Sequence, residues 1–510
     1  MAQLQVSDLT FSYEGSSDNV FENVSFNIDT TWKLGLIGRN GKGKTTLLNL
    51  LMGRYEYIGS ISGSTVFDCF PYAISESELD KTASELVDTW KPQVEEWQIL
   101  IQLSQIGMDP ECIYRPFGTL SFGERTRVML AVLFASDDEM LLIDEPTNHL
   151  DRDAREIVKE YLKSKKGFIL VSHDRDLLDA VTDHVLVMNR SSIEVQAGNF
   201  SSWQENKERA DAYALAENEK HLKEIGKLKA AADRCDRWAV KNENTKIGFD
   251  PLKEPERNIS TRAYIGAKTK KMQARVKSYE KRMDREIEEK EGLLKDIETV
   301  ADLKLNPLKY HKSVLVEARE LSIGYGLSAP LFTDMTFKIC QGERVFLSGR
   351  NGCGKTSLIK AILLKAGMVA ADITDPDLRV EGELLVGSGL KISYINQDTS
   401  FLRGTLREYA KAADLNESLF LAVLRRLDLE REQFAKDMTE FSEGQKKKVL
   451  IAGSLITPAH LYIWDEPLNY IDVFSRMQIE KLILEYQPTM LLVEHDVRFK
   501  EKVATKDIAI

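Results

Sequence analysis

Two stretches of the chain set a lysine and a threonine behind glycine-spaced loops: Gly38-Arg39-Asn40-Gly41-Lys42-Gly43-Lys44-Thr45-Thr46 and Gly349-Arg350-Asn351-Gly352-Cys353-Gly354-Lys355-Thr356-Ser357. Both satisfy G-x-x-x-x-G-K-[ST]. In the first, an apolar LGLI run precedes the loop and TLLNLLM follows it, the strand-to-helix context that marks a phosphate-binding loop. The glycines let backbone N–H groups converge on phosphate oxygens at a helix N-terminus. Lys44 and Lys355 then bring a cation to the terminal phosphates, and the hydroxyls of Thr45 and Thr356 suit magnesium. Further on, apolar runs end in Asp144-Glu145 and Asp465-Glu466. The first carboxylate of each pair can hold magnesium through water; the second is placed to accept a proton from an attacking water.

The elements that must position these groups are written twice. GLIGRNGKGKTTLL from Gly35 recurs as FLSGRNGCGKTSLI from Phe346, and LSFGERTRVMLA from Leu120 as FSEGQKKKVLIA from Phe441. LLIDEPTNHLD from Leu141 matches YIWDEPLNYID from Tyr462, and LVSHDRD from Leu170 matches LVEHDVR from Leu492. The order of motifs repeats too, so two homologous α/β domains are expected at 1–202 and 313–510. Between them, 203–312 differs in character. Leu222, Ile225, Leu228, Ala232, Cys235 and Trp238 recur at helical spacing in a proline-free run from Gln204 to Val240, and Met272, Val276, Tyr279, Met283, Ile287, Leu294 and Ile297 form a second stripe. The spacing predicts an antiparallel helical hairpin whose tip loop, at about 240–263, is broken by Gly248, Pro251 and Pro255.

Composition narrows the classes. The chain has 510 residues, 43% of them hydrophobic, and a net charge of -11, which argues against general nucleic-acid affinity over the whole surface. Its five cysteines are scattered with no C-x-x-C pair, so neither a disulfide framework nor a zinc site is indicated. The opening MAQLQVSDLTFSY does not read as a signal peptide, and the apolar runs are far shorter than the roughly 20 residues of a spanning helix. A cytoplasmic protein without a membrane domain is expected.

These motifs resemble the ATP-binding-cassette proteins over both halves of the chain. The resemblance implies two ATPs with Mg2+ at the interface of an intramolecular head-to-tail cassette dimer, in a chain that is otherwise a monomer. It makes Ser121, Gly123, Ser442 and Gly444 the signature groups that close on the ATP of the opposite half. It also makes Asp151 and Asp472 the ends of the D-loops, His173 and His495 the switch histidines beside the bases Glu145 and Glu466, and Thr45, Asp144, Thr356, Gln397 and Asp465 the metal side. Tyr13 and Tyr325 either stack on adenine or pack in the core. There are departures: the segment matching Gln397 reads CFPY and offers Tyr72, while Phe122 and Glu443 stand where the family usually has glycine.

Two cassettes, a long helical linker and no membrane part resemble the ABC-F proteins, which act on the ribosome. GNFSSWQENKERAD at the linker entry, RAYIGAKTKKMQARVKSYEKR on its return arm and FPY at the first Q-loop are similar to the antibiotic-resistance group, of lincosamide, streptogramin A and pleuromutilin type. The resemblance implies a bacterial ribosome as partner: the exit site, P-site tRNA, and 23S rRNA near the drug pocket. Charge supports an RNA partner independently. From Arg262 to Arg285 there are nine Lys or Arg against Glu280 and Asp284, with Tyr264 and Tyr279 interleaved. The linker contacts expected are Trp238, Lys241, Lys246, Phe249, Arg262, Tyr264, Lys268, Lys270, Lys271 and Arg275. Within the family the alternative is a translation factor that rescues stalled ribosomes without drug; outside it, the ATPase of an efflux transporter.

Overall fold

The structure, a computed structural model, describes residues 3–13, 19–63, 65–136, 139–148, 150–189, 192–247, 307–368, 375–427, 429 and 431–510. The chain divides into one unit of Met1–Trp203 with Ala301–Ile510 and another of Gln204–Val300.

In the first half, β1 (Gln3–Phe11), β2 (Phe21–Asp29) and β4 (Ile58–Ser62) form an antiparallel sheet in the order β2-β1-β4. The main sheet runs β5-β6-β7-β3-β8-β9 from β3 (Lys33–Gly38), β5 (Val66–Phe70), β6 (Glu139–Asp144), β7 (Phe168–Val171), β8 (His184–Met188) and β9 (Ile193–Ala197). All its pairs are parallel except β8 with β9. The central strands FILV and EMLLID are almost wholly buried, as expected of parallel strands covered on both faces. One core lies between the two sheets, around Leu36, Leu47 and Leu142; the other packs Ile143, Val128 and Leu103 on the opposite face.

The second half repeats the plan. β10 (Val314–Tyr325), β11 (Phe332–Cys340) and β13 (Leu378–Val386) make the order β11-β10-β13. β12 (Arg344–Ser348), β14 (Ile392–Ile395), β15 (Leu461–Asp465), β16 (Met490–Val493) and β17 (Lys506–Ala509) make the fully parallel sheet β14-β15-β16-β12-β17. In both sheets the strand before the glycine loop is neighbour to the strand that precedes the switch histidine, and the strand ending in Asp-Glu comes next. Three loops therefore converge at the carboxyl ends of the strands, where open α/β sheets bind ligands.

The first linker helix is longer than its sequence suggested. It runs Phe200–Ile247, 48 residues or about 72 Å at 1.5 Å per residue, past Val240 to the residue before Gly248. KNENTKI contains neither Gly nor Pro, so nothing in it stops the helix. The return arm and the rest of the tip lie outside the described residues, and among those residues no helix is long and apolar enough to cross a membrane.

Candidate functional site

Each glycine loop turns at the end of its strand into a helix, Lys44–Leu51 or Lys355–Lys365, with no side-chain cap. Gly43 has φ +90°, and a Cβ there would lie 2.6 Å from Val20, so only glycine fits. Lys44 Nζ folds back to donate to Gly38 O at 2.7 Å and Asn40 Oδ1 at 3.2 Å; Lys355 Nζ donates to Gly349 O at 2.8 Å and Arg350 O at 3.0 Å. Thr45 Oγ1 donates to Asp144 at 2.9 Å and Thr356 Oγ1 to Asp465 at 2.8 Å. These hard oxygen pairs, next to a phosphate cradle, fit magnesium that draws its remaining ligands from phosphate and water.

Glu145 and Glu466 both occupy left-handed backbone, at φ 52° and 48°, with their N–H groups bonded to Val171 O and Val493 O of the adjacent strands. For glutamate such backbone is costly, and here it recurs at the same place in both halves. His173 Nε2 lies 3.4 Å from Glu145 and 3.1 Å from Asn40 Oδ1; His495 Nε2 lies 3.5 Å from Glu466. Burial, reinforced by Lys44 and Arg476, holds His173 well below the usual imidazole range, so its ring is neutral. The two glutamates are tuned oppositely. Burial and then Asp144 push Glu145 up to about 8. At Glu466 the same burial is outweighed by His495, Lys355 and Asn469, which hold the carboxyl below its ordinary value. Among the described residues Glu145 Oε1 and His495 Nε2 are buried without a hydrogen-bond partner.

The signature serines cap helices. Ser121 Oγ accepts from Glu124 N, and Glu124 accepts in return from Ser121 N at 2.8 Å; Ser442 and Gln445 repeat the box. The halves meet across these loops. A Cβ on Gly444 would lie 3.0 Å from Asn40 Nδ2 and 2.5 Å from Tyr470 O, and Asn40 Nδ2 donates to Tyr470 O at 2.6 Å. The second signature and the loop after β15, which carries Tyr470, thus touch the first glycine loop, as a head-to-tail arrangement requires. On the other side Asn351 N donates to Asp151 at 3.5 Å and Arg350 pairs with Asp153 at 3.1 Å, but the atoms nearest a Cβ on Gly123 belong to its own half, Leu150 and Ala154. A cleft of about 440 Å3 opens there, lined by Asp151, Asp153, Gly349, Arg350, Glu494 and His495.

Tyr13 and Tyr325 sit equivalently. Their hydroxyls meet Thr46 Oγ1 at 2.7 Å and Ser357 Oγ at 3.0 Å, which ties both rings to the glycine-loop helix; Tyr13 is 44% exposed. Tyr72 does not take the place of a Q-loop glutamine. Its hydroxyl donates to Asp68 at 2.6 Å and its ring stacks on Trp90, 4.8 Å between centroids, whereas Gln397 Nε2 donates to Asp465 at 3.2 Å. The reason is Lys91, buried against Asp68 at 2.8 Å and Glu139 at 2.6 Å, which anchors the aspartate that holds the tyrosine. Of the linker residues, Trp238, Lys241 and Lys246 lie on the Phe200–Ile247 helix with side chains not described; Phe249, Arg262, Tyr264, Lys268, Lys270, Lys271 and Arg275 lie outside the described residues.

Three residues escaped the motif reading. Arg175, almost fully buried, crosses between the halves to Glu480 and, at 3.5 Å, to Asp496. Lys447 reaches from the second signature helix to the carbonyls of Asn396 and Gln397. Glu494 accepts from Leu468 N at 2.7 Å. The signal for Glu494 was the repeat itself, which has Ser172 at the matching position. Burial pushes the Glu494 carboxyl up to about 7, against the Leu468 N–H and Arg476, with Glu466 and Asp496 adding to the rise. A carboxyl raised in the folded state contributes stability fully present below the unfolded value and lost as pH climbs through about 7. Glu494→Gln keeps the acceptor and removes the ionisation. Thermal melts are expected to match wild type in acid and to favour the variant above neutrality, by roughly 3 kcal/mol at most; equal pH profiles would refute this.

The sequence profile of the ABC transporter family matches residues 21–148 and 332–469. Over 98% of its length the chain is similar to ribosome protection protein VmlR of Bacillus subtilis, at 27% identity and across 85% of that protein. It is similar at 26% identity to ATP-binding protein Uup of Caulobacter vibrioides, over 96% of this chain and 74% of the relative. In fold it matches the archaeal ribosome recycling factor aABCE1, solved with the ribosomal stalk protein aP1, at TM-score 0.59 and 17% identity, covering 98% of this chain and 87% of that one.

Proposed function

Because the chain belongs to the ABC transporter family of ATP-binding domains, and carries two of them, we propose that it is a ribosome-protecting ATPase of the ABC-F type. It hydrolyses ATP, as its two family domains do. The observation that carries the finer reading is the similarity to a ribosome protection protein over 98% of this chain, which takes in the linker as well as the cassettes. The basic run Arg262–Arg285 in a chain of net charge -11 supports an RNA partner.

Two ATPs bind, one against each glycine loop. Lys44 and Lys355 swing from the carbonyls they now bond to the terminal phosphates, and Ser442 and Ser121 close on them from the opposite half. Magnesium, when bound beside Thr45 and Asp144 or Thr356, Gln397 and Asp465, would neutralise phosphate charge. Glu145 and Glu466 orient the attacking water and take its proton, with His173 and His495 fixing the carboxylates. Tyr13 and Tyr325 stack on adenine. In the closed state the protein occupies the exit site of a bacterial ribosome, and the linker reaches P-site tRNA and the 23S rRNA around the peptidyl-transferase centre, where its tip displaces a bound antibiotic. Trp238, Lys241, Lys246, Phe249, Arg262, Tyr264, Lys268, Lys270, Lys271 and Arg275 make those contacts. Hydrolysis reopens the cassettes and releases the chain.

Deleting Glu243 to Glu256 is expected to abolish drug tolerance in a susceptible host and rescue of cell-free translation, while ATP hydrolysis persists. Lincosamides, pleuromutilins, macrolides and phenicols should be tried side by side. Undiminished tolerance after the deletion would refute the role of the tip, and lowered cellular drug accumulation without rescue of cell-free translation would point to efflux.

A further inference from the structure

Lys447 is a buried cation on the second signature helix, and it does not point at that signature's own target. Its Nζ donates to Asn396 O at 3.1 Å and Gln397 O at 2.9 Å. Gln397 in turn donates from Nε2 to Asp465, on the metal side of the second site. One turn earlier on the same helix, Glu443 accepts from Thr399 Oγ1 at 2.6 Å. Two bonds from Lys447 and one from Glu443 therefore fasten the helix to the loop Asn396–Thr399. The N-terminus of that helix carries Gly444, which abuts Asn40 of the first site. Burying an ammonium group is costly, and an apolar side chain would pack as well; the acids around it, Glu494, Asp465 and Glu466, offset part of that cost. The first half lacks the device: the position of Lys447 is Thr126, and the position of Gln397 is Tyr72, turned to Asp68.

We propose that Lys447 is a positioning residue that couples the two ATP sites, by making the metal-side loop of the second site and the signature serving the first move as one body. Of two pseudo-symmetric routes, the one through the second signature carries this lysine tie, and among the described residues the first has no lysine at the matching position. Coupling in binding is reciprocal whichever site is filled first, so losing this one tie weakens it in both directions.

The inference rests on the two-site reading above, and the experiment separates the two. In the full chain carrying Glu145→Gln and Glu466→Gln, which binds without turnover, a fluorescent ATP analogue is titrated with magnesium. Its affinity at the first site is compared with and without Lys355→Ala, which disables the second. The ratio of these affinities is expected to be about tenfold, within the 5–150-fold range usual for coupled sites. Lys447→Met should bring the ratio close to one, Lys447→Arg should restore most of it, and Thr126→Met should leave it unchanged. If Lys447→Met does not fold, Lys447→Gln, which keeps a neutral amide donor on a shorter side chain, should give a partial loss. A ratio undiminished by loss of the lysine, or lowered as much by Thr126→Met, overturns the coupling alone. One bound nucleotide instead of two overturns the two-site reading and the coupling with it.

Discussion

Glu145→Gln combined with Glu466→Gln is expected to lower ATP turnover by about 10²–10⁴-fold, the usual worth of a positioned general base, while two ATPs stay bound. The amide keeps the size of each side chain and one acceptor oxygen, so the contacts with His173 and His495 can persist and only the proton acceptor is lost. Held closed, the variant should sediment with ribosomes in the presence of ATP, whereas wild type cycles off. Free sedimentation with ATP would refute the proposed trap; turnover near wild type would refute the assignment of the bases. The single variants should differ: at neutral pH a carboxyl pushed up to about 8 is mostly protonated and one held low is ionised, so Glu466→Gln should cost more turnover there, and the cost of Glu145→Gln should grow as pH rises.

The second large effect concerns the joint between the halves. Arg175→Met removes a buried guanidinium that touches Glu480 and Asp496, leaving two buried carboxylates short of a partner. Breaking a buried pair by removing one member costs about 3–5 kcal/mol. Lys502, 3.3 Å from Glu480, and Arg476, 3.0 Å from Asp496, remain, so the lower end of that range is expected in urea or thermal unfolding. Adding Glu480→Met should recover most of the loss, since an apolar pair of similar volume replaces an ion pair at little cost. A single variant as stable as wild type, or a double variant no better than the single, would show that this cluster does not hold the halves together.

Motifs that act through backbone near one strand end were legible in the sequence. Lys44, Thr45 and the Asp144-Glu145 step need only a strand, a glycine turn and a helix, and the repeat supplied each of them twice. The resemblance supplied the head-to-tail interface, but the individual side-chain pairs across it were not legible. Arg175 and Glu480 are separated by some 300 positions and carry no spacing rule, and Asn40 meets Tyr470 only because two folded surfaces meet. That Tyr72 departs from Gln397 is legible in the sequence, but where it turns is not, because its partner Asp68, held by Lys91, is set by packing in the first half. The linker helix outran its apolar stripe for a related reason: KNENTKI holds no glycine or proline, so the backbone ladder can continue to Ile247 after the apolar positions stop.

Trp203 lies at the root of that helix, buried, its ring 5.7 Å from Phe474 of the other half and edge-on to it. Indole emission shifts to the red when water reaches the ring, so the joint between the halves carries its own optical gauge. With the other five tryptophans replaced, that single ring can follow separation of the halves in real time, with no dye attached to the chain.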